Sequence, residues 1–379
     1  MDYHWISDDG ELARRCEQWC KLPFVTLATE FVRVDTFYPK AGLIQLGDGE
    51  QAYLIDPLAI TDWSAFARLL TAPGTCKVLH ACSEDLEILV RLVCTLPEPL
   101  VDTQLAAGFL GLGFGMGYAR LVQILLGVEL PKGETRSDWL QRPLTEGQKI
   151  YAATDVLYLA RIYPLLRERL KGRKWDWLLA DGAELAAEAQ PVAPGQLYLL
   201  ARQAWKLAPR QLAVLRALCA WREEQAQQRD RPRNHILSEQ CLWQLARSMP
   251  RDKPALARIH ELPPKILRQA SDQLLQVIAE AAASPQDSWP ARLPAPLPPR
   301  VGGLLKRLRK AVEQQAEALG VVPQLMVRKK TLEALLRTGY PDGPYQLPDQ
   351  LKGWRRELLG PVLLSALAEG DSSNLRGTP

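Results

Sequence analysis

Apolar residues in the first 170 positions come in short dense runs separated by turn formers. FVTLATEFVRV (24–34), LIQLGDGEQAYLID (43–56) and KVLH (77–80) read as strands, and Gly47-Asp48-Gly49 makes a hairpin turn within the second. Helical spacing marks DDGELARRCEQWC (8–20), with Asp8 or Asp9 near its start, and the stretches around Asp85–Val93, Thr103–Leu110 and Tyr118–Leu126. A longer helix starts near Thr145, where Thr145 and Gln148 have capping-box spacing. A hairpin sheet followed by helices predicts a mixed α/β layer domain. Beyond Arg173 the strand signals fade. Arg210 to Ala283 reads as several helices broken by Pro232, Pro250 and Pro263-Pro264, and Leu304 to Leu367 as a second helical run broken at Pro323, Pro341 and Pro348. Between them SPQDSWPARLPAPLPPR holds six prolines in 17 residues, a composition that favours an extended linker. The two helical runs are similar in length, without a residue-by-residue repeat.

At 379 residues two or three domains are expected. No run of 18 uncharged apolar residues predicts a membrane span, and the acidic start MDYHWISDDGELARR lacks the apolar core of a secretory signal, so a cytoplasmic protein is expected. Seven cysteines, without a second Cys/His pair to complete a zinc spacing beside Cys16 and Cys20, read as buried thiols in a reducing compartment. The net charge of +4 hides a split. Residues 1–200 carry 19 Lys and Arg against 26 Asp and Glu; residues 201–379 carry 28 against 17. An acidic half beside a basic half fits a carboxylate-rich site joined to a grip for a polyanion.

Three acidic places stand out. Glu30 ends the first strand run, and Ala28, a poor strand former, shares its face two places earlier. Asp85 follows a short strand at a helix start. Tyr151 and Asp155 are four apart and share one helix face. Singly, each has a plain explanation. Glu30 could be exposed at a strand end, Asp85 could complement the dipole of a helix capped by Ser83, and Asp155 could pair with Arg161. Together, clustered carboxylates repel and call for cations, and all-oxygen ligands suit Mg²⁺ or Mn²⁺.

The residues resemble the DEDDy branch of the DnaQ-like 3′–5′ exonucleases, in its ribonuclease D form. The first motif, Asp-x-Glu-Phe, is matched by Ala28-Thr29-Glu30-Phe31 except at its first position. His80 and Asp85 in HACSEDLEIL match the second, and Tyr151 and Asp155 the third. SDWLQRPLTEGQKIYAATDVLYL, with Asp138-Trp139 and Arg142-Pro143-Leu144, and the hairpin LIQLGDGEQAYLIDPL follow the same form. WREEQAQQRDRPRNHIL, and further on PQLMVRKKTLEALL and GWRRELLGP, resemble two HRDC domains.

The resemblance implies an α/β fold, a ribonuclease H-like mixed sheet with flanking helices, plus two all-α HRDC-like helical domains. It divides the chain into an exonuclease domain (1–173), a helical connector (174–209), a first HRDC-like domain (210–284), a Pro-rich linker (285–300) and a second HRDC-like domain (301–379). It implies that Glu30, Asp85 and Asp155 hold two divalent ions, that Tyr151 positions the attacking water, and that RNA 3′ ends, tRNA precursors among them, are trimmed to nucleoside 5′-monophosphates by a monomer. Arg328, Lys329, Lys330, Arg355 and Arg356 are candidates for RNA phosphates, Phe31 for base stacking, and His80 for a place beside the RNA, although a satisfied histidine near the site explains it as well.

Ala28 stands where the pattern has an aspartate expected to touch both ions. The ion beside it should bind weakly or be absent, with a rate loss on the order of 10³-fold or more. An introduced aspartate-to-alanine change is the favoured origin, and a natural pseudo-nuclease the other. A DNA exonuclease or a non-catalytic RNA-binding protein are the alternative functions.

Overall fold

The computed structural model describes residues 2–130, 133–134, 137–341 and 343–374. The chain opens with β1 (Tyr3–Ile6), α1 (Asp9–Trp19), β2 (Phe24–Val32), β3 (Lys40–Gly47), β4 (Ala52–Ile55), α2 (Ser64–Thr71), β5 (Cys76–Leu79), α3 (Ser83–Val93), β6 (Leu100–Asp102) and α4 (Thr103–Phe109). Helices α5 (Tyr118–Leu126), α6 (Glu146–Arg169) and α7 (Arg173–Glu188) follow. The six strands form one sheet in the order β1-β4-β3-β2-β5-β6, in which β3 and β4 pair antiparallel while β1 with β4, β2 with β5 and β5 with β6 pair parallel. This is the expected mixed sheet with flanking helices. The sequence reading lacked β1, α2 and β6. β1 and β6 are only four and three residues long, too short for alternation to register.

Five further helices follow in chain order: α8 (Pro209–Gln228), α9 (Arg233–Ile236), α10 (Glu239–Ser248), α11 (Lys253–Ala257) and α12 (Pro264–Ala283). Four more end the chain: α13 (Gly302–Leu319), α14 (Pro323–Met326), α15 (Lys329–Gly339) and α16 (Gly353–Asn374). No helix among the described residues is long and apolar enough to cross a membrane.

The chain divides into two compact units. One comprises Met1–Val32, Ala41–Gln190 and Leu297–Pro379; the other comprises Arg33–Lys40 and Pro191–Pro296. Within the first unit, the C-terminal helices are not a separate bundle. Leu308, Val312, Leu325, Leu336 and Trp354 share one hydrophobic core with Val101, Phe109, Leu121, Ile162 and Trp177 of the α/β domain. Trp354 stacks on Trp177 with ring centroids 4.8 Å apart. Gly108 in α4 lies so close to Leu325 and Val322 that a methyl group there would collide, and Val322 N–H donates to the Gly108 carbonyl at 3.0 Å. The second unit has its own core, with Leu212, Leu215, Leu218, Trp221, Leu242, Leu245, Ile266 and Leu274 at its centre and Phe37 packed against it.

The two faces of β2 place the site. Val25 and Leu27 enter the core that contains residues of α1, α2 and α3, while Ala28 packs on the other face with Tyr151, Ala152, Ala153 and Val156 of α6. Thr26, on the α6 side, donates its hydroxyl to the Val156 carbonyl at 2.9 Å, pinning strand to helix. Gly47 borders this contact, where any side chain would strike Thr26 and Val156. The predicted capping box is present: Thr145 accepts from Gln148 N–H at 3.2 Å and Gln148 accepts from Thr145 N–H at 2.9 Å, which fixes where α6 begins. Arg142 grips Asp56 at the end of β4 with two bonds of 2.5 and 2.8 Å and adds the Gly42 carbonyl at 2.7 Å, so this part of the third-motif segment ties the loop before α6 to the sheet.

Candidate active site

Glu30 lies near the end of β2 on the face of Ala28, Asp85 in the first turn of α3, and Tyr151 and Asp155 one turn apart on α6. Burial and the charges of Asp155 and Asp85 push the Glu30 carboxyl up to about 8. Burial pushes Asp85 up to about 7 against the opposing hydrogen bond of Thr29, whose hydroxyl donates to Asp85 Oδ1 at 2.7 Å. Burial likewise pushes Asp155 up to about 7, against the hydrogen bond it receives from Tyr151. The Tyr151 phenol is raised by burial and by Asp155 and Glu30, so it stays protonated and acts as a donor. The four groups are electrostatic neighbours, although they lie on three elements spread over more than a hundred positions.

Asp85 does lie in the first turn of α3, as a dipole-complementing residue would, but two of the other plain readings fail. Asp155 is not paired with Arg161, which lies over the Tyr158 ring at 5.2 Å. Ser83 does not cap α3; the N-cap position is Cys82, and its side chain makes no capping bond. No Lys or Arg pairs with Glu30, Asp85 or Asp155 among the described residues. The contrast within the same unit is the buried Asp181, which receives Arg355 at 2.6 and 2.7 Å and Trp354 Nε1 at 2.9 Å. A carboxylate with a fixed guanidinium is neutralised by the fold, whereas three clustered carboxylates that have hydroxyl donors but no basic partner favour a cation from outside.

The donor set, all carboxylate oxygen, suits a hard divalent cation such as Mg²⁺ or Mn²⁺. The cage itself is incomplete. Among the described residues no three or more His, Cys, Asp and Glu side chains are already spaced to hold a metal ion, and a methyl group occupies position 28.

The remaining candidates fall in different places. His80, just past β5, shares a hydrogen bond of 2.9 Å between Nδ1 and Thr103 Oγ1, and its ring lies 5.3 Å from that of Tyr118. Burial lowers its pKa, opposed by Asp102. Phe31 is half-buried at the strand end. The basic candidates need correction. Arg355 is held inside the first unit by Asp181 and the Leu325 carbonyl, so it is not free to meet a phosphate. Arg328 forks onto Glu188 with two bonds of 3.1 Å, and Lys329 pairs with Glu333 at 3.3 Å. Arg356 leans on the Pro348 and Leu351 carbonyls at 3.4 Å, and Lys330 is exposed.

The sequence reading passed over Thr29 and Tyr118. Thr29 sits inside the first motif, and the Tyr118 hydroxyl donates to the Asp155 main-chain carbonyl. It also passed over the basic face of α13. Lys306, Arg309 and Lys310, at helical spacing, are exposed and make no ion pair among the described residues. The run KRLRK was the available signal.

Comparison with known proteins agrees with this architecture. A family model described as a 3′–5′ exonuclease matches residues 3–171, and an HRDC domain model matches residues 211–278. The sheet and its helices thus form a 3′–5′ exonuclease domain, of a class that uses divalent metal ions. Ribonuclease D of Pseudomonas paraeruginosa is 56% identical over 367 residues, covering 97% of this chain and 98% of its own. Ribonuclease D of Escherichia coli is 37% identical over 377 residues, covering 97% and 99%. The crystal structure of the Escherichia coli enzyme, described as an exoribonuclease involved in structured RNA processing, superposes with a TM-score of 0.87 at 37% identity, covering 97% of this chain and 99% of that one. The chain belongs to the ribonuclease D family.

Proposed function

We propose that this chain is a 3′–5′ exoribonuclease whose hydrolytic centre is formed by Glu30, Asp85, Asp155 and Tyr151 and is disabled by Ala28. The observation that carries the reading is that Glu30, on the face that Ala28 shares, feels the charges of both Asp85 and Asp155, with no basic partner for the three among the described residues. Glu30, Asp85 and Asp155 would hold the divalent ions, Mg²⁺ or Mn²⁺, which when bound supply Lewis-acid activation of a water and neutralise charge at the departing 3′ oxygen. Tyr151, kept protonated by burial beside Asp155 and Glu30, would orient the attacking water. Thr29 holds Asp85, and Tyr118 holds the main chain of α6 at Asp155. An alanine in place of an aspartate removes one full negative charge from this set, so cation affinity and transition-state stabilisation both fall.

The substrate in this reading is RNA with a free 3′ end, such as a tRNA precursor, released as nucleoside 5′-monophosphates by a cytoplasmic monomer. Family membership and the RNA-processing description of the Escherichia coli relative support RNA. The exposed Lys306, Arg309 and Lys310 are assigned to phosphates in place of Arg328 and Arg355. Residues 301–379 are proposed as a second HRDC-like domain, because α13 to α16 follow the order long, four-residue, medium, long of α8, α9, α10 and α12, without a counterpart of the short α11. Ala28 itself favours a second reading, an RNA-binding protein that does not cleave.

The test of substrate is Ala28→Asp assayed with Mg²⁺ on RNA and DNA strands of matched sequence. Preferential trimming of RNA from the 3′ end to 5′-monophosphates is expected. Equal or faster trimming of DNA would move the assignment to a DNA exonuclease.

A further inference from the structure

The turn from β5 into α3 is poorly supported by its own residues. Ala81 sits at φ +53°, a left-handed conformation that costs an L residue energy. Cys82, at the N-cap of α3, offers no side-chain cap to the first amides of that helix. The support comes from the end of β6. Asp102 accepts Ala81 N–H on Oδ1 at 3.1 Å and Cys82 N–H on Oδ2 at 3.0 Å. The same side chain caps α4, with Oδ1 accepting from Gln104 N–H at 2.7 Å and Leu105 N–H at 3.4 Å. Thr103 donates its hydroxyl to the Leu79 carbonyl at 3.1 Å and meets His80 Nδ1. Two consecutive residues therefore hold every position of the turn from Leu79 to Cys82, and Asp85 stands three residues further on.

A simple helix cap needs one oxygen. Asp102 uses both: Oδ1 serves α4 and the Ala81 amide, and Oδ2 serves the Cys82 amide at the start of α3, the helix that carries a carboxylate of the site. We propose that Asp102 is a positioning residue: by fixing the entry turn of α3 it sets where the Asp85 carboxylate stands relative to Glu30 and Asp155. The proposal rests on the reading of those carboxylates as a divalent-cation site. Thr29 fixes Asp85 from the strand side, and Asp102 fixes the backbone from which Asp85 projects.

Asparagine keeps the Oδ1 acceptor for α4 and Ala81 and removes only the one for Cys82. It caps a helix about as well as aspartate, so α4 keeps its acceptor. The second oxygen becomes an amide NH₂ that faces the Cys82 N–H, donor against donor. The test is Mn²⁺ binding by the full-length chain, followed by electron paramagnetic resonance well below the melting temperature, with Ala28→Asp alone and combined with Asp102→Asn. Circular dichroism checks folding. Asp102→Ser, which keeps a capping hydroxyl too short to reach Cys82, serves as a second variant should the first fail to fold. The folded double variant should bind Mn²⁺ about 10-fold or more weakly than Ala28→Asp alone, as expected for support behind a metal ligand. Unchanged Mn²⁺ affinity in a folded variant would reduce Asp102 to a structural cap and overturn the proposal. Absence of Mn²⁺ binding by folded Ala28→Asp alone would instead overturn the cation reading of the site, and this inference with it.

Discussion

The two helical regions after the nuclease domain find their cores in different places. α8 to α12 close around a core of their own, in a unit that includes Arg33–Lys40. α13 to α16 place Leu308, Leu325, Leu336 and Trp354 in the core of the nuclease domain. Each region contains an arginine forked onto a buried carboxylate. Arg233 holds Glu223 at 2.5 and 2.6 Å inside its own unit, and Arg355 holds Asp181 of α7 at 2.6 and 2.7 Å. The helix order is thus no guide to whether such a region folds by itself. The destination of its arginines and tryptophans decides it.

The sharpest way to break this comparison is to cut both forks. Arg355→Ala leaves Asp181 buried without its cation, and the first unit should lose about 3–5 kcal/mol. Arg233→Ala should cost less, about 1 kcal/mol, because the Arg233 side chain is 45% exposed where that of Arg355 is 20%. Hydrogen exchange should show the first loss across α4 and α7 and the second confined to α8–α12. A loss in the Arg355 variant confined to α13–α16 would contradict the shared core.

A smaller effect separates paired from unpaired carboxylates. Glu30, raised to about 8, binds its proton more tightly folded than unfolded. Its stabilising contribution is full below the ordinary glutamate range and is lost as pH rises through about 8. In buffer free of divalent ions Glu30→Gln should therefore raise the melting temperature by a few degrees at pH 8.5 and by much less at pH 4. Equal shifts at both pH values would mean that neither burial nor the charges of Asp155 and Asp85 raise the Glu30 carboxyl. The smallest effect concerns salt. Lys306→Ala/Arg309→Ala/Lys310→Ala should flatten the dependence of RNA affinity on salt by about two units of slope, at ~0.7 per phosphate contact on a single strand. Arg328→Ala should change it little. The reverse result would return the phosphate contacts to the C-terminal pairs first considered.

The sheet hairpin, the Thr145 capping box and the α6 face were legible because each has a local signature. So were Glu30, Asp85, Tyr151 and Asp155, once the order of motifs joined them. The short strands β1 and β6 were not, since their identity comes from pairing with distant residues. Nor were the fates of Arg328 and Arg355. A run such as RKK or WRR carries the same charge whether it faces water or a buried aspartate, and Asp181 lies 174 positions from Arg355. Asp102 caps α4 locally, but its second oxygen serves a turn twenty residues upstream, which no local pattern marks.

The most direct measurement of the central claim is the single-turnover rate of 3′-end hydrolysis by Ala28→Asp with Mg²⁺, set against that of the Ala28 chain on the same RNA. A carboxylate restored among Glu30, Asp85 and Asp155 should raise the rate on the order of 10³-fold or more. A folded Ala28→Asp protein that still binds RNA and hydrolyses no faster than the Ala28 chain would contradict the claim that these side chains form the hydrolytic centre.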